Sequence, residues 1–252
     1  MTQPPSVRTR AGAEHWVASA YLRDLSPYLT RALLRMGFTA NGVTWLMVLA
    51  AALAALVTGW TGSGWSALVS ALIVVVLVQA QMLLDCSDGE VARWRRQSSP
   101  RGVYLDRVGH YVAECGIAVA LGVRATGEVR LAGTWISLGL LLGLLICLNK
   151  VENDLVHVAR HYAGMVQVRD AEEVKVPSRG LVRTLRRLAG MVPFHRVFHS
   201  VELSLLVLLA VVIDLAGADG LAVKVLLAGL VVSAAVTLVG HLAAILTSSR
   251  LR

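Results

Sequence analysis

The chain has 252 residues, 56% of them hydrophobic and 16% charged, with a net charge of +8. An ordinary soluble domain holds about 45–50% apolar residues, so this composition excludes one and points to a protein built in lipid. In such a chain a positive excess reflects topology rather than a nucleic-acid partner, and Cys86, Cys115 and Cys147, each in or beside an apolar run, form no disulfide framework and are expected reduced.

Residues 1–41 are polar and basic and lack a short apolar stretch ahead of a small-residue cleavage site, so no cleaved signal peptide is expected. Within them Leu22, Leu25, Leu29, Leu33 and Met36 recur at helical spacing, while Arg23, Asp24, Arg31 and Arg35 take other faces. That pattern predicts an amphipathic helix lying on the membrane. Six apolar segments follow, at about 42–60, 65–85, 103–123, 131–149, 199–216 and 221–247, each near the roughly 20 residues a helix needs to cross a bilayer. The second holds Gln79 and Gln81, at least one of which should face the bundle interior. The third is interrupted by Asp106, His110 and Glu114, whose four-residue spacing sets them on one helical face.

The fourth segment runs out through "LNKVENDLVHVARH", which carries Asn149, Lys150, Glu152, Asn153 and Asp154 to the membrane surface. These residues either line a polar site or form a solvated helix extension. A basic loop over about 162–198 follows, where Leu181, Leu185 and Leu188 alternate with Arg183, Arg186 and Arg187. It reads as a second interfacial helix held by anionic headgroups. His157/His161 and His195/His199 are i, i+4 pairs, but no further zinc ligand stands out beside either.

The loops orient the bundle. Segments 1–41, 86–107, 150–196 and 248–252 carry 21 Lys and Arg residues against three, Arg124, Arg130 and Lys224, on the opposite side. This alternation through six spans places both termini in the cytoplasm. The expected fold is an all-α integral membrane protein: a six-transmembrane-helix bundle with an N-terminal amphipathic interfacial helix. The domains are an N-terminal cytoplasmic segment, 1–41, one membrane domain, 42–248, and a tail, 249–252. There is no internal repeat.

The chemistry gathers where the second span leaves the membrane. An ionised side chain at mid-bilayer costs several kcal/mol, about 2.5–3.5 on insertion scales, so Asp85, Asp88 and Asp106 require a wet cavity or a counter-ion. Gly89 leaves room for a ligand to approach the backbone. Oxygen ligands suit a hard ion such as Mg²⁺ or Mn²⁺, and Arg93 with the basic residues after it favours an anionic substrate. Carboxylates, hard metals and arginines together suggest phosphoryl-type chemistry.

The stretch "DCSDGEVARWRRQSSPRGVYLD" resembles the signature of the CDP-alcohol phosphatidyltransferases, D-x2-D-G-x2-A-R-x8-G-x3-D-x3-D, through Asp85, Asp88, Gly89, Ala92, Arg93, Gly102 and Asp106. Upstream, "TANGVTWL" resembles the Asn-x-x-Thr that opens the family's first span, here Asn41 and Thr44. The resemblance implies transfer of a phosphatidyl or other substituted phosphoryl group from a CDP-linked donor to an alcohol, with release of CMP. It implies that Asp85, Asp88 and Asp106 hold a pair of divalent ions, Mg²⁺ or Mn²⁺, on the donor diphosphate. Gly89, Ala92, Arg93, Gly102, Asn41 and Thr44 would bind the donor, and the protein would be a homodimer. CDP-diacylglycerol with a polar alcohol or alcohol phosphate is the expected substrate pair, and a CDP-linked polar alcohol donating to a diacylglycerol is the alternative. Membrane lipids are the other expected partners, and nucleic acid is not one. The arginine-rich composition suggests a bacterial plasma membrane, with the site facing the cytoplasm.

The sequence departs from the family pattern at the last position, where the fourth aspartate, usually assigned as the base, is His110. Histidine can act as base near neutral pH, with Glu114 one turn on orienting or stabilising it. Alternatively His110 is a metal or substrate ligand, or a polar core residue of a protein that has lost activity. Lys150 and Asn153 are candidates for the acceptor site. The rivals of other classes are a small six-helix transporter, against which stand the one-sided ionisable cluster and the absence of repeated halves, and a non-catalytic lipid-binding relative.

Overall fold

The computed structural model describes residues 16–128, 132–165 and 197–247. Among these residues all regular structure is helical. A π-helical turn, Ala18–Leu22, leads into α1 (Arg23–Arg35), followed by α2 (Ala40–Thr58), α3 (Gly64–Trp94), α4 (Pro100–Thr126) and α5 (Thr134–Tyr162). Then come α6 (Ser200–Ile213), prolonged by a π-helical turn Asp214–Ala218, and α7 (Leu221–Leu246). The basic loop expected over about 162–198, with its leucines at 181, 185 and 188, lies outside the described residues except at its ends.

Five of these helices are long and apolar enough to cross a membrane: Ala40–Thr58, Gly64–Trp94, Thr134–Tyr162, Ser200–Ala218 and Leu221–Leu246. The protein is therefore a multi-pass, all-α membrane protein. The third expected span, α4, has the length, at 27 residues, but not the apolarity. Its Asp106, His110, Glu114 and Arg124 set it apart from the other five.

The helices start and stop where local chemistry dictates. Thr39 and Ser99 are the N-caps of α2 and α4, each accepting a hydrogen bond from the amide of Gly42 or Gly102 at 3.1 Å. Pro100 opens α4, where its missing N–H costs nothing. The chain needs a left-handed residue to turn between α3 and α4, and Arg96 supplies it at φ 53°. Two helices outrun their apolar segments. α3 continues to Trp94 and α5 to Tyr162, so the acidic motif and the Asn149–Asp154 stretch are helical.

In lipid, helices are held by close packing rather than by exclusion of water. The tightest crossing is α4 on α5. A Cβ on Gly122 would stand 2.8 Å from the Gly139 Cα, and one on Gly139 would stand 2.7 Å from the Gly122 Cα. From that point the two helices run antiparallel, with the Lys150 ammonium 5.5 Å from the centre of the Tyr111 ring and Arg107 paired with Asp154. The glycine crossing thus sets the register in which polar groups of α4 and α5 meet.

Arg124, a loop charge by hydropathy, lies inside α4 and is only 7% exposed. Its Nε donates to the Thr58 carbonyl at 2.7 Å, and its Nη2 donates to Ser70 Oγ at 2.8 Å and to the Val57 carbonyl at 3.3 Å. The guanidinium thereby satisfies carbonyls that end α2 and meets the negative end of its dipole.

The N-terminal leucine pattern lies on a helix, α1, which does not turn its polar face to water alone. Leu22, Ser26, Thr30 and Leu33 are buried against the bundle, whereas Leu25, Tyr28 and Met36 are exposed. The Tyr21 hydroxyl donates to Gln79 Oε1 at 2.6 Å, and Trp16 Nε1 donates to Glu202 Oε1 at 2.6 Å. Gln81, fully buried, accepts from Ser200 Oγ at 3.0 Å, so it is the inward-facing glutamine. The three cysteines are free thiols.

Candidate active site

The C-terminal part of α3 and the N-terminal half of α4 carry the acidic motif. Asp85 and Asp106 converge from the two helices on His110, whose Nε2 is 3.2 Å from Asp85 Oδ1 and 3.5 Å from Asp106 Oδ1. One ligand atom from each of the three residues can be chosen so that all lie within 4.8 Å of one another. All three side chains are half-buried, which suits a site that must desolvate a charged group yet admit it.

Asp88 does not join this group. It is 8% exposed, and its Oδ2 accepts from Thr44 Oγ1 on α2 at 2.7 Å. The reason is angular: three residues along a helix is 60° short of a full turn, so Asp85 addresses α4 while Asp88 addresses α2. Of the three aspartates expected to share ions, two share the cluster and the third stands beside it, near enough to feel the charge of both.

Among the remaining donor-site candidates, Asn41 and Gly102 lie near one another, and Gly89 lies against Arg93. A Cβ on Gly89 would lie 3.0 Å from Arg93 Nη1, so the guanidinium reaches back along α3 to the turn that holds Gly89. A Cβ on Gly102 would lie 3.5 Å from Asn41 Oδ1, which brings the first turns of α2 and α4 together. Their positive dipole ends therefore lie side by side and favour an anion there. Ala92 is half-buried, one turn beyond Asp88.

On the other side of the cluster opens a cavity of about 570 Å³. Asp85, Asp106, His110 and Glu114 line it from α3 and α4, and Lys150 and Asn153 line it from α5. Asn41, Thr44, Asp88, Gly89, Ala92, Arg93 and Gly102 do not line it.

Glu114, expected as the partner of His110, is instead held by other residues. It is 3% exposed, with Oε2 3.0 Å from Lys150 Nζ and Oε1 3.3 Å from His199 Nδ1. The α4–α5 register places Lys150 opposite it, and a buried carboxylate takes the nearest cation. Asn153 Nδ2 donates to the Asn149 carbonyl at 3.0 Å.

Two constellations went unnoticed in the sequence. Glu90, fully buried one residue past Gly89, accepts from Ser26 Oγ at 2.6 Å and Thr30 Oγ1 at 2.7 Å, and its Oε1 is 3.3 Å from Arg23 Nη1. The i, i+4 hydroxyl pair on α1 was the available signal. The other is His199, noted only as half of a histidine pair. A chain separation of 85 residues from Glu114 left no local sign of their contact.

The donor set fits a hard divalent cation: two carboxylates and one imidazole whose ligand atoms are close enough to share an ion. A family model described as CDP-alcohol phosphatidyltransferase matches residues 37–177. No curated protein matches the chain. The matched stretch is more than half of the chain and takes in α2 through α5, hence the acidic cluster and the Lys150–Asn153 wall. Members of this family act on a CDP-alcohol and an alcohol acceptor and generally use a divalent metal. The chain belongs to the CDP-alcohol phosphatidyltransferase family.

Proposed function

We propose that the protein transfers a phosphatidyl group from CDP-diacylglycerol to a polar alcohol, releasing CMP, in phospholipid biosynthesis. The observation that carries this reading is the convergence of Asp85, Asp106 and His110 from two helices at the wall of a cavity. Asp85 and Asp106 would hold the ion, and Asp88 is the further carboxylate for a second one. Bound Mg²⁺ or Mn²⁺ would supply Lewis-acid stabilisation of charge on the diphosphate as it cleaves.

The protein's own groups do the rest. Arg93 and the paired first turns of α2 and α4, with Asn41, Thr44, Gly89, Ala92 and Gly102 around them, accommodate the donor's nucleotide and phosphates. His110 takes the proton of the acceptor hydroxyl as that oxygen bonds to phosphorus and the bond to CMP breaks. Lys150 and Asn153 orient the acceptor from the facing wall. A second reading, His110 as a metal ligand, is favoured by its place in the three-residue group.

The topology belongs to the same proposal. α4 is the sixth span, with its charged face turned to the cavity; both termini are cytoplasmic; and the site opens at the cytoplasmic face of a bacterial plasma membrane. The membrane domain is taken to run over 42–248.

The test is product identification by mass spectrometry with purified protein and Mn²⁺ or Mg²⁺. CDP-diacylglycerol plus a polar alcohol is expected to give a new phospholipid and CMP. Product only from a CDP-linked polar alcohol and diacylglycerol would reverse the donor assignment. Solute uptake into sealed liposomes without product from any CDP-linked donor would replace the enzyme with a transporter.

A further inference from the structure

Lys150 reaches the cavity wall already held. Its Nζ donates to Glu114 Oε2 at 3.0 Å and stands 5.5 Å from the centre of the Tyr111 ring, within the range at which a ring face attracts a cation. Each of these two supports is itself fixed. The Tyr111 hydroxyl donates to Asp154 Oδ2 at 3.1 Å, and Asp154 is paired with Arg107. The other oxygen of Glu114 is 3.3 Å from Nδ1 of His199, the N-cap of α6. A buried carboxylate on α4 thus joins α5 to α6, and all six of these residues line the cavity.

A lysine side chain carries about 2 kcal/mol of rotamer entropy, which these contacts remove before any substrate arrives. An ammonium has three donors, and one carboxylate oxygen answers one of them. The Lys150 side chain is 23% exposed against 4% for Glu114, so the carboxylate is the buried anchor and the lysine is the member of the pair that the cavity meets. Tyr111 and Glu114 follow His110 on α4, and the ammonium is near enough for His110 to feel its charge.

We propose that Glu114 is a positioning residue for the acceptor, aiming the Lys150 ammonium at an electron-rich oxygen of that substrate, a hydroxyl's or a phosphate's, beside His110. The proposal rests on the transferase reading above, in which Lys150 orients the acceptor, and it takes the place of the expected pairing of Glu114 with His110. Glu114 then bears on acceptor binding through Lys150, and not on the ion or on proton transfer.

The experiment uses purified full-length protein in nanodiscs with CDP-diacylglycerol and Mn²⁺, reading CMP release with glycerol, glycerol 3-phosphate, myo-inositol and its 1-phosphate as acceptors. Glu114→Gln keeps the side-chain shape and removes the charge. It is expected to raise the acceptor KM about fivefold or more, while the donor KM and the Mn²⁺ concentration for half-maximal activity stay within about twofold. Lys150→Gln is expected to raise the acceptor KM at least as much. Adding Glu114→Gln to it should raise that KM no further, since a residue that acts through another then has nothing to act on. A Lys150→Gln penalty larger for a phosphate ester than for its free polyol assigns the oxygen to phosphate, and an equal penalty assigns it to a hydroxyl.

A folded Glu114→Gln variant with an unmoved acceptor KM, with a fall in kcat alone, or with donor and acceptor KM moved together overturns the proposal and leaves the transferase reading standing. Additive effects in the double variant do the same. If Glu114→Gln alone does not fold, the double variant, which removes both charges, decides: an acceptor KM above that of Lys150→Gln overturns the proposal and an equal one supports it. No CMP from the parent protein with any CDP-linked donor and any acceptor removes both the proposal and the reading beneath it.

Discussion

His110 Nε2 stands 3.2 Å from Asp85 Oδ1, a contact between helices made by residues 25 apart in the chain. It places an imidazole where the family pattern has a fourth aspartate, against the same carboxylates that are the candidate metal ligands. General-base catalysis by one positioned group is worth about 10²–10⁴ in rate. His110→Ala is therefore expected to lower kcat by at least about 100-fold, while His110→Asp retains measurable turnover. If His110 is a ligand, the alanine variant shifts the Mn²⁺ concentration for half-maximal activity as well; steady-state kinetics over a Mn²⁺ titration distinguishes the two roles.

Glu90 ties the N-terminal helix to α3 through Ser26, Thr30 and Arg23. Removing one member of a buried ion pair costs about 3–5 kcal/mol, because the other charge keeps its burial but loses its partner. Glu90→Ala is expected to lower the thermal unfolding midpoint in detergent markedly. Glu90→Gln, which keeps a hydrogen-bonding group of the same shape, is expected to lower it less.

The α4–α5 crossing tolerates no side chain at its centre. The new methyl of Gly139→Ala would meet backbone atoms at 2.7 and 2.9 Å, which cannot rotate away. At Gly116 the nearest atom is the Ala55 Cβ at 3.0 Å, a milder conflict. Overpacking costs about 1–3 kcal/mol; Gly139→Ala is expected in the upper part of that range and Gly116→Ala in the lower, by thermal unfolding. Because the crossing sets the register of Lys150 on Glu114, Gly139→Ala is also expected to reduce turnover.

The apolar segments were legible because bilayer thickness imposes a length on them, and five of the six stand as apolar helices. The helix ends were less so. α3 and α5 run on through polar sequence, so Asp85 and Lys150 sit within long helices rather than at their ends. The acidic motif could be read from spacing alone, but spacing along one helix does not say which neighbour each face meets. Asp88 meets Thr44, and Glu114 meets Lys150 and His199, for reasons that lie in interhelical register. Hydropathy gave no hint of Arg124, since a buried guanidinium capping carbonyls of another helix looks, in sequence, like a loop charge.

The account turns on Asp85 and Asp106 gripping a divalent cation that acts on a CDP-linked donor. The most direct measurement is CMP release from CDP-diacylglycerol as a function of Mn²⁺, for the parent protein and for Asp85→Asn and Asp106→Asn, each change removing one anionic ligand while keeping side-chain shape. The account predicts release that saturates with Mn²⁺, stops on chelation and is lost in both variants. Release that continues in chelator and survives both substitutions would contradict it.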